Sequence, residues 1–249
     1  MSAPPGGART GVVLAAGFGS RLEGSSDETS LKPLTPVAGV PLIQRTLRSL
    51  EVAGCEHIVI VLGHGADEVR AAAESVHDGT AKLVFVVNDR YDLANGVSVL
   101  AARDAVDGDF LLTMADHVFS DDVMQLAGTH TPPKHGATLL VDYDIAGVFD
   151  LDDATKVLER DGRIASIGKQ LADYNCIDTG LFVCTPALMD ALAEVYAQRG
   201  DASLSDGIQH LASAGRMSVL SIGDGFWQDV DTPGMLAEAE RRLRCVDAT

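Results

Sequence analysis

Apolar residues in the first half of the chain fall in short unbroken runs, each ending in glycine or charge. Residues 11–16 (GVVLAA), 57–63 (HIVIVLG), Lys82–Val87 (KLVFVV) and 109–116 (DFLLTMAD) are such runs. Segments of this kind suit strands buried on both faces, as in a parallel sheet. Between them the spacing becomes helical. Leu42, Ile43, Leu47 and Leu50 recur on one face between a Pro start at 41 and a Gly stop at 54. ADEVRAAAESV predicts a second helix, and a third is expected from Gly96 to about Val106, after the polar loop NDRYDLAN. The βαβαβαβ order predicts right-handed crossovers and helices on both sheet faces. In the second half, ATLLVDYD, ATKVLERDGRIASIG and DTGLFVC read as strands joined by turns such as Asp161-Gly162. Helices are expected over 186–198, 205–214 and 232–243, the last capped by Thr232-Pro233. No linker divides the chain. The expectation is a disordered leader over 1–9 and one α/β domain over 10–245. That domain would be a mostly parallel, doubly wound Rossmann-type sheet whose C-terminal half extends the sheet and binds an acceptor.

Ligands of such sheets lie beyond the carboxyl ends of the strands. The loops 16–33, 63–66, 88–95 and 116–120 are therefore where chemistry is expected.

Composition narrows the partners. Among 249 residues, 36 acidic against 19 basic side chains give a net charge of −17. That balance argues against broad binding to nucleic acid or anionic membrane. No run of about 20 apolar residues exists to span a bilayer. The first ten residues lack the apolar stretch of a secretory signal. The four cysteines are scattered without a CxxC pair, which argues against zinc and for a reduced, cytoplasmic setting. The charge is uneven: residues 1–50 carry a net +2 and the remaining 199 carry −19. One local anion site near the N-terminus is implied.

That window contains LAAGFGSRL, a glycine-rich turn directly after the first strand. Backbone N–H groups from Leu14, Ala15, Ala16, Gly17, Gly19 and Ser20 suit a phosphate there, with Arg21 and Lys32 adding mobile positive charge. Two familiar nucleotide motifs do not fit. A dinucleotide fold needs glycine at 22 and an acid after the second strand, but Leu22 and Gly63-His64 occupy those places. The Walker pattern is absent. Asn95-Gly96-Val97-Ser98 opens a helix near the glycine turn; Asn95 and Ser98 could read a base edge, or Asn95 could simply cap the helix. Gly63 and His64 are expected to border the base.

In order, AAGFGSRL, Lys32-Pro33-Leu34 and Gly39-Val40-Pro41-Leu42 make the chain resemble the sugar-phosphate nucleotidyltransferase family. NGVSVLAAR with MADHVF, then ATKVLERDGRIASIGK, IDTGLFV and FWQDVDTP, resemble its inositol-1-phosphate cytidylyltransferase branch over roughly 11–243. The resemblance implies a GT-A-like fold and Mg²⁺-dependent transfer of CMP from CTP to inositol 1-phosphate, giving CDP-inositol and pyrophosphate. It implies Mg²⁺ on Asp116 together with Asp229 or Asp231, a choice the sequence leaves open. Lys169 would grip the acceptor's phosphate, Lys156 would line the same pocket, and Asp178, Thr179 and Gly180 would form the acceptor-binding segment. His117 would either hold its loop or touch substrate. Arg21, Lys32 and Lys169 would be the catalytic cations. Members of the branch are often fused to a membrane-embedded phosphotransferase, so a separate downstream phosphotransferase is implied. Two alternatives remain. One is the same transfer to phosphocholine, a phosphonate, or another cyclitol or sugar phosphate. The other is a GT-A-type glycosyltransferase or a non-catalytic nucleotide-binding regulator. Ala115-Asp116-His117, standing where a glycosyltransferase would carry DxD, and the presence of both Lys32 and Asp116 count against the latter pair.

Overall fold

The computed structural model describes residues 8–17 and 31–246. Gly19, Ser20 and Arg21 lie outside these described residues. The described chain opens at Ala8, which is buried, and the Arg9 carbonyl accepts the Glu56 and His57 N–H groups. The described residues thus begin two positions before the expected domain start at 10.

The expected strands and helices form in sequence. Strand β1 (Thr10–Ala15) leads past two short strands, β2 (Pro36–Val37) and β3 (Val40–Pro41), into α1 (Leu42–Val52). Then come β4 (His57–Leu62), α2 (Ala66–Val76), β5 (Lys82–Val87) and α3 (Asn95–Ala101). Helix α3 is shorter than expected. At Ala102 the bonding tightens to i→i+3, and one 3-10 turn over Arg103–Ala105 closes the segment. Strand β6 (Phe110–Met114) stops two residues before Asp116. Next are β7 (His117–Phe119), α4 (Asp121–Thr129) and β8 (Ala137–Asp142). The hairpin of β9 (Lys156–Arg160) and β10 (Arg163–Gly168) turns on Asp161-Gly162, both at positive φ, which matches the twist of a two-residue hairpin turn. The chain finishes with β11 (Cys176–Cys184), α5 (Ala187–Arg199), α6 (Leu204–Ser213), β12 (Met217–Ser221), β13 (Trp227–Asp229) and α7 (Pro233–Val246).

Nine strands form one sheet in the order β5-β4-β1-β6-β11-β8-β12-β10-β9. The first four are parallel, as their continuous apolar runs require. The second half contributes β11 antiparallel between β6 and β8, while β12 runs parallel to β8. Because β9 pairs with both β10 and β11, the last five strands close on themselves beside the parallel half.

Strand alternation divides the core. Val12, Leu14, Val59, Val61, Phe110 and Leu112 face α3, α5 and α6. Val13, Ala15, Ile58, Ile60, Leu62 and Leu111 face α1, α2 and α4. A third cluster, with Val118, Phe226, Val230 and Ala239, packs α7 beneath a two-stranded ribbon of β7 and β13. This ribbon stands at the carboxyl end of the parallel strands. Among the described residues, no helix is long and apolar enough to cross a membrane.

Candidate active site

Two chambers open at the carboxyl edge of the sheet and share Asn95, Met114, Asp116 and Asp231. The first, about 420 Å³, is lined by Leu14, Ala15, Ala16 and Gly17 from the end of β1, by Lys32, Pro33, Tyr91 and Leu93, and by Ser98 of α3. The second, about 260 Å³, lies over the ribbon and the closed strands, among Asp142, Asp153, Lys169, Asp178, Gly180, Trp227, Asp229 and Arg242.

Lys32 stands where they meet. Its Nζ donates to Asp116 Oδ2 at 2.5 Å and also to Asp231 Oδ1. These three residues come from sites 84 and 199 positions apart along the chain, and the ribbon brings them together. β7 and β13 pair His117 with Asp229 and Phe119 with Trp227, and the Val230 N–H donates to the Asp116 carbonyl. The two acidic segments are thereby hydrogen-bonded to each other. Burial works to raise the Asp116 pKa, but His117 and Lys32 outweigh it and hold the carboxyl well below the ordinary range. Burial likewise opposes charge on His117, yet the adjoining Asp116 and the Asp229 beyond it raise its pKa.

His117 is a holding group. Its Nδ1 bonds Asp116 Oδ1 at 2.5 Å, and its ring lies nearly parallel to those of Phe119 and Trp227, with centroids 6.0 and 6.5 Å away. Gly180 backs the same ring: a Cβ there would lie 2.4 Å from His117 Nε2, and the residue's φ of +76° favours glycine in any case. Trp227 is in turn fixed by its Nε1–H, which donates to Asp142 Oδ2 at 2.8 Å.

The acidic pair left open by the sequence resolves into two different settings. Asp231 shares Lys32 with Asp116, whereas Asp229 accepts from the Gln228 amide. Both have a carboxylate oxygen within 4.8 Å of one on Asp153, which the sequence reading did not single out.

The other expected residues divide into those that line a chamber and those that do not. Lys169 does line the second chamber, with its Nζ on Asp153 at 2.7 Å. Lys156 does not. It is buried, and its Nζ donates to the Asp152 carbonyl, tying down the loop that carries Asp153. Thr179 is fully buried with its hydroxyl on the Leu140 carbonyl, so it braces β11 instead of facing the acceptor. Asp178 does face the chamber. Burial pushes its pKa up to about 6 against the opposing pull of the Gly180 N–H and His117.

On the other side, Ser98 lines the first chamber, but Gly96 faces away from it; a Cβ there would strike the Ala202 carbonyl. Asn95 borders both chambers. It caps α6 rather than its own helix, because its Oδ1 accepts the Leu204 N–H. Gly63 and His64 buttress the wall. The His64 N–H donates to the Ala16 carbonyl, and Gly63 lets Tyr91 approach closely. Tyr91 and Leu93, not Gly63 and His64, line the chamber.

Seven aspartates line the second chamber: Asp116, Asp142, Asp150, Asp153, Asp178, Asp229 and Asp231. Such a wall repels a lone phosphate and attracts cations. The donor set, carboxylate oxygens throughout, has the chemistry of a hard divalent cation site.

A chamber lined by the end of the first parallel strand, a lysine bridging two acids and an acidic chamber beside them define a nucleotidyltransferase cleft. Residues 11–214 match the family described as MobA-like NTP transferase domain, and the chain belongs to that family. It is similar to the "Bifunctional IPC transferase and DIPP synthase" of Archaeoglobus fulgidus, with 34% identity over 93% of this chain and 43% of that protein. The protein of the same name from Rubrobacter xylanophilus is 34% identical over 93% of this chain and 51% of its own length. The chain thus spans about half the length of these relatives. Among solved structures it resembles the inositol-1-phosphate CTP transferase from T. maritima, with a TM-score of 0.84 and 26% identity over 96% of this chain and 97% of that one.

Proposed function

We propose that this nucleotidyltransferase moves CMP from CTP to inositol 1-phosphate. The observation that carries the reading is the meeting of the two chambers at Lys32, Asp116 and Asp231. A triphosphate laid from the β1 turn and an acceptor laid over the ribbon would meet at those side chains. The relatives' names and the neighbouring structure's description support the acceptor and the nucleotide.

Ser98 offers the base a donor. Asn88 accepts the Arg90 N–H on Oδ1, so its amide NH₂ faces and donates to Ser98 Oγ at 3.0 Å. With its oxygen accepting, the Ser98 hydroxyl has its proton left to donate toward the chamber. Cytosine takes such a donor at O2 or N3 and uracil takes it at O2 or O4, so the hydroxyl suits a pyrimidine and the choice of cytidine rests on the neighbouring structure's description.

The reaction needs no protein nucleophile. The acceptor's phosphate has a second pKa of about 6 and is largely dianionic at neutral pH. It attacks the α-phosphorus, a P–O bond forms, and the bond to the pyrophosphate leaving group breaks. What the chain supplies is position and charge. Lys32 and Lys169 draw the phosphates, and Arg21 is assigned to the same task from the sequence. His117, bonded to Asp116, holds that carboxylate's direction. Asp178 accepts from a ring hydroxyl when ionised. Asp116, with Asp231 and Asp229, would hold Mg²⁺, whose chemistry is to neutralise phosphate oxygens. A pyrophosphate-release screen of four NTPs against inositol 1-phosphate, phosphocholine, 2-aminoethylphosphonate and glucose 1-phosphate tests the whole reading. A tenfold preference for another acceptor overturns the acceptor and leaves nucleotidyl transfer standing.

A further inference from the structure

Arg242, on the last helix, lies beyond the residues that match the family, yet it lines the acidic chamber. Its setting differs from that of the other cations there. Lys169 faces Asp153 and His117 faces Asp116, both lining residues of the chamber. The counterion of Arg242 is Glu238, which is outside the lining and is shared with Arg241. Hydrogen bonds from Arg241 and Arg242 drive the Glu238 pKa down to about 2, so at neutral pH the trio carries one net positive charge.

The guanidinium is also held rigidly. Nε donates to Glu238 Oε1 at 2.9 Å, Nη2 donates to the Gly147 carbonyl at 3.1 Å, and the group lies 5.4 Å over the Phe226 ring. An arginine has five N–H donors. Two are accounted for by these bonds, and among the described residues none is a partner of Nη1. A preorganised guanidinium with spare donors, lining a chamber of aspartates, has the chemistry to take a phosphate edge.

The geometry points to Arg242 as a second cation on the phosphate of the acceptor, fixing its orientation alongside Lys169. This rests on reading the chamber as the acceptor site. The same side chain also clamps α7 to the Gly147 turn, and the two tasks are separable by experiment.

Arg242→Met keeps the apolar stem on Phe226 and removes the charge. Arg242→Lys keeps the charge and removes the fork. In the full chain, Met should raise the KM for inositol 1-phosphate about 10- to 100-fold, with the KM for CTP changed less than about threefold. Lys should recover part of the loss. Neutral myo-inositol, used as a competitive inhibitor, should bind the Met variant as it binds the wild type. The inference is overturned if both substrates' KM values rise together, or if myo-inositol and inositol 1-phosphate lose equally, since a clamp alone does either. Wild-type turnover reports separately on the proposed acceptor. If the wild type prefers another phosphorylated alcohol, that compound and its dephosphorylated form replace the inositol pair in the same comparison.

Discussion

Lys32 bridges two carboxylates, Asp116 and Asp231, and lessens their repulsion across the junction of the chambers, leaving the trio with one net negative charge. Lys32→Ala should lower turnover by about 100-fold or more while circular dichroism remains that of the folded protein; near wild-type turnover in a folded variant would end its assignment to the phosphates. The two other lysines are a matched pair for separating contact from support. Lys169→Ala should raise the acceptor's KM by about tenfold, the effect of one lost charged contact. Lys156→Met, at a buried residue bonded to the Asp152 carbonyl, should lower the melting temperature and move that KM much less. The reverse order in KM would restore Lys156 to the pocket. Asp178 adds a pH signature. Its folded pKa of about 6 lies above the ordinary 3.8, so the folded state holds the proton more tightly between those values. Stability contributed by Asp178 therefore falls as pH rises through about 4–6. The titratable group that faces it with a charge is His117 from β7; the neighbouring Cys176, its thiol pushed up to about 12, stays neutral over this range. Unfolding free energies from urea titration of wild type and Asp178→Asn should diverge by about 1–2 kcal/mol between pH 4.5 and pH 7, with wild type losing ground. Parallel curves would show that Asp178 is not buried in the way described.

At the scale of elements, the site depends on a ribbon of two three-residue strands, β7 and β13. It carries His117, Phe119, Trp227 and Asp229, and β11 closes on it through Gly180. Gly180→Ala forces a Cβ onto the His117 ring at a positive φ. The expected cost is about 2 kcal/mol, or about 4–8 °C in Tm, together with at least about tenfold in kcat because Asp116 loses its support. A loss of Tm with kcat untouched would show that His117 does not hold the catalytic carboxylate. This ribbon also marks where the sequence stops being legible. β1, β4, β5 and β6 could be read because strands covered on both faces leave continuous apolar runs. The Pro41 and Gly54 boundaries, and Thr232, whose Oγ1 accepts the Met235 N–H, are equally local signals. Three-residue strands carry too few alternations to show a period, so β7 and β13 passed unread, and so did the nine-residue α4. The residues of the glycine turn and of Asp116 were visible because motif and strand end coincide. The fate of Thr179, Lys156 and Gly96 was not, since burial depends on partners 39 residues or more away or on a carbonyl of the neighbouring loop. Asp153 and Arg242 had no motif at all; only the fold brings them to the chamber.

For the whole molecule, the decisive quantity is the charge and where it is concentrated. A protein of net charge −17 sets seven aspartates around the chamber where a dianion is to bind. Against these the lining offers Lys169, Arg242 and His117, of which Lys169 and His117 already face chamber aspartates. Two charges 4 Å apart at an effective dielectric near 20 interact by about 4 kcal/mol, so a phosphate entering this wall by itself is opposed by more than its cations return. The balance changes once Asp116, Asp229 and Asp231 are neutralised from the nucleotide side. The two chambers share Asp116 and Asp231, so a divalent cation brought with the triphosphate would be held by residues of both. Binding should therefore be ordered. Titration calorimetry with inositol 1-phosphate alone, or with EDTA present, should give no saturable binding up to millimolar concentration. The same titration in Mg²⁺ with a non-hydrolysable CTP analogue should give a defined site at least about tenfold tighter, equivalent to about 1.4 kcal/mol of coupling. Reciprocity requires that inositol 1-phosphate tighten the analogue by the same factor. In Asp231→Asn, where the shared carboxylate is neutral, the acceptor should bind more readily without nucleotide while turnover falls. Equal acceptor affinity with and without the Mg²⁺–nucleotide pair would mean that the aspartate wall does not govern entry, and the electrostatic account of the two chambers would have to be abandoned.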